Sequence, residues 1–387
     1  MSVIKVGVVG YGFAAKSFHI PFIVANNDYE VIAILQRAEA PSDASSVPAG
    51  SHCKVDFPNI RHYRNGEDFF ADPDTQLIVV ATHTDTHASY AEQALKAGKH
   101  AIVDKPFARS AEEADRVIEL ANSKGLILTC FQNRRWVREL KSQQDGDFQT
   151  LRKLIKEDAL GDIKEAEIHY DFESPPWLAG MTKKEYTPGD GMAFGLGTHS
   201  IDQAVVLFGR PKSVTGFFRT QRGIESEVED SFTIVLQYDG AQKDLLVTVK
   251  TSVTTPMAQQ LKHLVRGTKG SWLKFQLRST CPQEEQIAEG RKPLEPGFGE
   301  EPAELYGTLT TIKEFDGKVQ RFDKATNKFV GKYPSIVGRW LGFYENLADV
   351  INGKALLRVK ATQSRDAIRI IELARESNIT GSTVAWK

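Results

Sequence analysis

Lys105 ends an apolar run, His100–Val103, and is followed directly by Pro106. An amine at the carboxyl tip of a buried strand is partly withdrawn from water. That lowers a lysine pKa toward the range useful for moving protons. The alternative is a lysine that only hydrogen-bonds a ribose. A cis peptide before Pro106 would fix the lysine's direction. His199 offers an imidazole, which titrates near neutrality without tuning. Taken alone, it reads first as a structural histidine.

Residues 4–15 hold a second chemical signal: an apolar strand runs into Gly10-Tyr11-Gly12-Phe13-Ala14-Ala15. Gly10 suits a tight turn, and Gly12 removes a side chain where a phosphate would approach. Ala15 is small where the next helix packs on its strand. Backbone amides and the helix N-terminus of such a turn hold a pyrophosphate, so the turn predicts dinucleotide binding. The alternative is a strand–helix turn that needs glycine for geometry alone.

The strand Val31–Leu35 ends in Gln36-Arg37 rather than in an acid. An acid there would hold the ribose 2′-hydroxyl and repel a 2′-phosphate. Gln36 can donate a hydrogen bond, and Arg37 can pair with a phosphate in a fork. This favours NADP(H), with NAD(H) possible. A solvated surface arginine is the other reading.

Strands and helices alternate through the first third: Val3–Val9, a helix over 14–25 containing Pro21, Val31–Leu35, Leu77–Ala81, Ala88–Lys96, His100–Val103, a helix capped by Ser110, and Leu126–Phe131. The alternation predicts an α/β fold whose N-terminal Rossmann domain, residues 1–133, has a doubly wound parallel sheet. Ligands of such sheets bind at the carboxyl ends of the strands. Beyond about residue 134, alternating runs such as Phe232–Tyr238 and Leu245–Val249 predict half-exposed antiparallel strands. Residues 134–387 therefore read as an α+β substrate-binding and oligomerisation domain with a large open, mostly antiparallel sheet. Its bare face predicts a homodimer or homotetramer. Residues 282–303, rich in Pro, Gly and Glu, read as a long surface loop. Apolar stripes at Trp340–Ile351 and Ala367–Ala374 read as core helices.

A length of 387 residues favours two domains, and 41% hydrophobic with 26% charged residues is ordinary for a globular protein. A net charge of −1 gives no field that recruits nucleic acid or an anionic membrane. Cys53, Cys130 and Cys281 lie far apart and form neither metal-ligand spacing nor a disulfide framework. No metal is expected, and a cytoplasmic setting is. No apolar run is long enough to span a bilayer.

The glycine turn Gly10-Tyr11-Gly12, the run Ala94-Leu95-Lys96-Ala97-Gly98-Lys99-His100 through Asp104-Lys105-Pro106, and Gly197-Thr198-His199-Ser200-Ile201-Asp202 together resemble the glucose–fructose oxidoreductase / inositol dehydrogenase / MocA family. The resemblance rests on several motifs beyond the glycine turn. Ala81-Thr82-His83-Thr84-Asp85-Thr86-His87 is similar to that family's Thr-Pro-Asn-x-x-His segment. Ala94 to Pro106 is similar to Ala-Leu-x-x-Gly-Lys-His-Val-x-x-Glu-Lys-Pro. Asn133-Arg134-Arg135-Trp136 follows the last strand, as in several members. Gly189 to Asp202 resembles Gly-Gly-Gly-x-x-x-Asp-x-Gly-x-His-x-x-Asp, and Glu376-Ser377-x-x-x-Gly381 fits the tail.

The resemblance implies reversible hydride transfer between a nicotinamide and a secondary alcohol or ketone of a sugar, polyol or cyclitol. It implies Lys105 and His199 as catalytic residues. One group must accept the hydroxyl proton and another must steady the oxygen. The cofactor set is Gly10, Tyr11, Gly12, Phe13, Ala14, Gln36, Arg37, Thr82, His83, His87, Asp104, Lys105, Pro106, Asn133 and Arg135. The substrate set is Lys105, Trp177, Asp190, His199 and Asp202. His87 lines the nicotinamide side or caps the following helix. Trp177 stacks on a sugar or plugs the domain seam, and Asp202 orients His199 or forms a salt bridge. Arg135 and Trp136 hold cofactor or substrate.

One departure stands out. The family carries Asp four residues before the histidine, and this chain has Gly195. That keeps a second reading open: a catalytically silent dinucleotide-binding regulator, like the family's galactose co-repressor.

Overall fold

Five largely apolar runs, most of them buried on both faces, and one short polar edge strand build one parallel sheet. The strands are β1 (Ile4–Val9), β2 (Tyr29–Leu35), β3 (Arg61–Tyr63), β4 (Leu77–Val80), β5 (His100–Val103) and β6 (Leu128–Cys130). Their order is β3-β2-β1-β4-β5-β6, so the winding reverses between β1 and β4. Val6, Val8, Ile78, Val79, Ile102 and Val103 are buried because helices cover both faces. This is a computed structural model, and it describes residues 3–135, 146–277 and 281–387.

These residues form two compact units. The first is Met1–Asn133 with Gly290–Pro296 and Trp340–Arg365; the second is Arg134–Glu289 with Gly297–Arg339 and Asp366–Lys387. The later segments extend the first unit beyond the contiguous 1–133 expected from sequence. The reason is the apolar stripe of the helix Leu341–Ile351. Within the first unit, Tyr344 holds His19 Nδ1 at 2.7 Å and accepts from the Tyr29 hydroxyl through its carbonyl at 2.7 Å. Phe343 packs edge-on against Phe131.

Pro21 reshapes the helix expected over 14–25. A π-helical turn, Ala15–His19, comes first, and an α-helix, Ile20–Val24, takes Pro21 within its first turn. Proline has no N–H to give to the preceding turn and crowds it; the first turn of a new helix needs no such donor.

The second unit is built on a ten-stranded sheet. Its strands are β7 (Ile163–His169), β8 (Ser213–Arg219), β9 (Ser231–Gln237), β10 (Leu246–Thr251), β11 (Gln260–Gly267), β12 (Gly270–Gln276), β13 (Gly307–Thr311), β14 (Arg321–Asp323), β15 (Lys328–Tyr333) and β16 (Val384–Ala385). The order is β14-β15-β13-β12-β11-β7-β10-β9-β8-β16. β10 runs parallel to β7 and antiparallel to β9, which alternation alone does not reveal. Ala166, Ile168, Ile234, Val247 and Val249 face the core, with the helix Thr198–Phe208 on β7 and β10. The opposite face exposes Phe217 and Leu246 and holds a shallow cleft of about 410 Å³.

The segment read as a surface loop contains the helix Pro282–Ala288. Pro282 is pre-set for a first helical position, and Glu284 and Glu285 suit the positive end of the helix. Gln283 and Phe298 are buried, so this segment belongs partly to the core.

Candidate active site

In the first unit, the chain turns at Gly10 immediately after β1. Gly10 has φ +96°, and a Cβ there would lie 2.5 Å from the Ala81 carbonyl oxygen. Only glycine fits. A Cβ on Gly12 would meet nothing within 4 Å, so the absent side chain leaves an open cradle beside the backbone amides. That space, at the strand ends where the winding reverses, fits a dinucleotide pyrophosphate. Ala14 precedes the π-helical turn, and Phe13 is 72% exposed with its edge on Phe18 at 5.2 Å.

Tyr11 and Gln36 serve mainly to hold the loop 50–56. The Tyr11 hydroxyl donates to Asp56, whose carboxylate also accepts from Gly50 N at 2.9 and 3.0 Å. Burial, then the Asp56 carboxylate, pushes the phenol well above its ordinary value. Gln36 Oε1 accepts from Cys53 N at 2.9 Å, so its side-chain carbonyl is spent on the loop. Arg37 is exposed at the end of β2, and its carbonyl accepts from Arg64 Nε at 3.3 Å.

The Lys105–Pro106 peptide is cis, at the end of β5. Lys105 is half-buried. His87 braces this peptide: Nδ1 lies 2.7 Å from the Pro106 carbonyl oxygen and Nε2 lies 3.1 Å from that of Thr82. Only 1% of His87 is exposed, so its ring is committed to the backbone of this turn and does not present a surface that could line a cofactor. It does not cap the helix Thr84–Lys96 either; His83 is at that position and makes no side-chain cap. The Thr82 hydroxyl pairs with that of Thr86 at 2.7 Å.

Asp104 accepts from Lys105 N at 2.8 Å and lies 3.8 Å from His19 Nε2. Burial alone would raise its carboxyl. His19, then the charges of Lys105 and His87, outweigh burial and hold it below the usual range. Asn133 closes the segment with a buried Oδ1 that accepts nothing among the described residues.

In the second unit, a π-helical turn, Ala193–Gly197, leads into the helix Thr198–Phe208, which carries His199. Glu229 anchors this start. It accepts from Ala193 N at 3.0 Å and pairs with Arg375. Burial raises the Glu229 carboxyl, against the pull of Arg375. An ideal Cβ on Gly195 would make an ordinary contact with Met192 Cε at 3.5 Å, so a side chain is not excluded there by crowding.

His199 is 5% exposed and stacks on Tyr170, with ring centroids 5.7 Å apart and planes 19° apart. Arg134 sits 4.8 Å from the Tyr170 ring centre and donates to its hydroxyl. Glu284 holds Arg134 at 2.5 Å. Trp177, 44% exposed, meets Phe172 edge-on at 5.7 Å, and Phe172 lies 5.7 Å from Tyr170. An aromatic row therefore runs from the surface to His199. Strand alternation in the sequence does not reveal this row. Its signal was the spacing Tyr170, Phe172 beside Trp177.

Two carboxylates expected at the substrate are engaged elsewhere. Asp202 forms a two-point buried ion pair with Arg135, so it does not orient His199, and Arg135 is not open to a cofactor. Burial raises the Asp202 carboxyl, and Arg135 opposes that rise. Asp190 closes its own turn, accepting from Thr187 N at 2.8 Å and Lys183 Nζ at 2.6 Å. Burial is outweighed there by the Lys183 and Thr187 hydrogen bonds, which hold the carboxyl low. Trp136 lies outside the described residues.

A phosphate-cradling turn on a doubly wound sheet, followed by a large open sheet, defines a dinucleotide-dependent oxidoreductase architecture. Residues 4–132 match the model of the oxidoreductase family with an NAD-binding Rossmann fold, and residues 148–273 match the GFO/IDH/MocA C-terminal domain. Oxidoreductase C115.03 of Schizosaccharomyces pombe is 37% identical, over 99% of this chain and 100% of that protein. The scyllo-inositol 2-dehydrogenase (NADP(+)) IolW of Bacillus subtilis is 32% identical, over 98% of this chain and 95% of that protein. The solved structure of oxidoreductase yvaA from Bacillus subtilis superposes with a TM-score of 0.83 at 30% identity, covering 100% of this chain and 99% of that one. The chain belongs to the GFO/IDH/MocA family of oxidoreductases.

Proposed function

We propose that this protein is an NADP(H)-preferring oxidoreductase acting on a CH–OH group of a sugar, polyol or cyclitol-like substrate. The observation that carries the reading is the open glycine cradle after β1 together with an exposed Arg37, and no acid, at the end of β2. The 32% identity to an enzyme named as an NADP(+)-dependent inositol dehydrogenase supports both the cofactor and the substrate class.

A nicotinamide cofactor held by the turn at Gly10 and Gly12 would supply the hydride chemistry at the carbinol carbon. In the oxidative direction, His199 accepts the hydroxyl proton. The Lys105 ammonium steadies the oxygen as negative charge develops there. In reduction the imidazolium returns the proton, so the substrate gains one hydride and one proton. His87 and Asp104 hold the backbone on either side of Lys105. Trp177 offers an exposed aromatic face for a sugar ring. A cytoplasmic homo-oligomer formed through the bare sheet face completes the reading. Among the described residues, no helix is long and apolar enough to cross a membrane.

The test is a screen of oxidised and reduced sugars, polyols and cyclitols with NADP(H) and NAD(H), read at the absorbance of the reduced nicotinamide. Turnover with a polyol or its ketone, faster with NADP(H), is expected. Cofactor binding with no turnover on any substrate would favour the silent regulator instead.

A further inference from the structure

His52, Cys53 and His62 come together although the sequence shows no metal-ligand spacing around Cys53. His52 and Cys53 open the short helix Cys53–Asp56, and His62 lies on β3. One nitrogen of each ring and the Cys53 sulfur all lie within 4.8 Å of one another. The two imidazoles meet edge to face, centroids 4.7 Å apart. His52 is 4% exposed and Cys53 is fully buried.

Backbone carbonyls already orient both rings. His62 Nε2 lies 2.8 Å from the Gln36 carbonyl oxygen, and His52 Nε2 lies 3.3 Å from that of Ala38. Donating Nε2–H to a carbonyl leaves Nδ1 as the lone-pair nitrogen, which is how metal-binding histidines are usually supported. His52 Nδ1 is 4.0 Å from Cys53 Sγ. It now accepts from Lys54 N at 3.1 Å, a contact that a cation would displace.

We propose that His52, Cys53 and His62 form a binding site for a zinc-like divalent cation. Two nitrogens and one sulfur are a borderline-soft set, which selects zinc over magnesium or calcium. Ligand atoms around a tetrahedral zinc lie about 3.3–3.8 Å apart, so small side-chain rotations close the set. Water takes the fourth position. Cys53 N donating to Gln36 Oε1 already ties the loop 50–56 to the end of β2, and the ion, through His62, ties it to β3 as well. Burial pushes the free thiol up to about 11. The cation replaces that proton: one metal–sulfur bond forms, one S–H bond breaks, and one proton leaves to solvent.

The probe is cobalt(II), added to the intact protein after chelator treatment. A thiolate-to-cobalt charge-transfer band and tetrahedral visible bands are expected at one equivalent. Zinc should bleach both, with one proton released per ion and affinity rising with pH. Cys53→Ser should remove the charge-transfer band, and His62→Ala should weaken binding at least ~10-fold. Because those variants can fail to fold, the unaltered protein supplies a second measurement. Zinc should protect Cys53, but not Cys130 or Cys281, from alkylation in mild denaturant, read by mass spectrometry. Absence of the charge-transfer band in the unaltered protein, its persistence in Cys53→Ser, or equal alkylation with and without zinc overturns the site. None of these readouts depends on cofactor or turnover.

Discussion

The rings of Tyr170 and His199 lie 19° from parallel with 5.7 Å between their centres. Arg134 fixes the tyrosine from its hydroxyl and Glu284 fixes the arginine. Tyr170 is therefore a platform that sets the imidazole plane. Tyr170→Phe keeps the ring and should cost little in kcat. Tyr170→Ala removes the platform, and a misplaced proton acceptor loses rate by ~10²-fold. Steady-state kinetics check this: the Ala variant should fall in kcat with KM nearly constant. A change confined to KM would assign Tyr170 to substrate binding.

The glycine turn offers an internal contrast. Gly12→Ala meets no atom within 4 Å, so the protein should fold with its melting temperature unchanged. The added methyl enters the phosphate cradle, so NADPH affinity should drop ~10-fold or more, measured by calorimetry. Gly10→Ala combines φ +96° with a 2.5 Å approach to Ala81 O, and it should destabilise the fold itself.

Sequence was most informative where one strand meets two covered faces. β1, β4 and β5 are apolar runs with turn residues at their ends, and burial on both sides leaves no other reading. Partners across space were harder to read. Asp202 three residues after His199 shares a helical flank with it, but spacing cannot say that Arg135 waits opposite. Asp190 follows the same logic with Lys183 and Thr187. Alternation in Leu245–Val249 reveals a half-covered strand and not its parallel pairing with β7. Pro, Gly and Glu over 282–303 read as a loop, yet Pro282, Glu284 and Glu285 are first-turn residues of the helix Pro282–Ala288. His52, Cys53 and His62 converge only because β2 and β3 are adjacent.

On the proposed reading, Arg37 carries the cofactor preference. A guanidinium bonded to a 2′-phosphate is worth about 1.5–3 kcal/mol, or ~10–100-fold in affinity. Arg37→Ala should raise the NADPH dissociation constant by that factor and leave NADH almost unaffected, measured by fluorescence titration. An unchanged NADPH constant removes the phosphate argument.

Lys105 can bind, catalyse or do both, and the two roles separate kinetically. If it steadies the reacting oxygen as proposed, Lys105→Ala should cut kcat by ~10²–10⁴-fold. NADPH affinity should stay close to that of the parent, because the cradle at Gly10 and Gly12 is untouched. Equal loss of turnover and affinity would make Lys105 a cofactor ligand alone.

His169 should make stability depend on pH. Burial lowers its pKa, but Asp171 at 3.0 Å and Glu167 at 2.9 Å outweigh burial and raise it above the ordinary value. A histidine with a raised folded pKa binds protons more tightly when folded. Its contribution is therefore complete below about pH 6.5, the unfolded value, and is lost as pH climbs through the folded one. Urea unfolding of the unaltered protein and of His169→Gln at both ends of that window isolates the effect. The difference between the two should be largest in mild acid and shrink in alkali, because the glutamine has no proton to lose. A difference that grows with pH would mean that the two carboxylates hold a neutral ring.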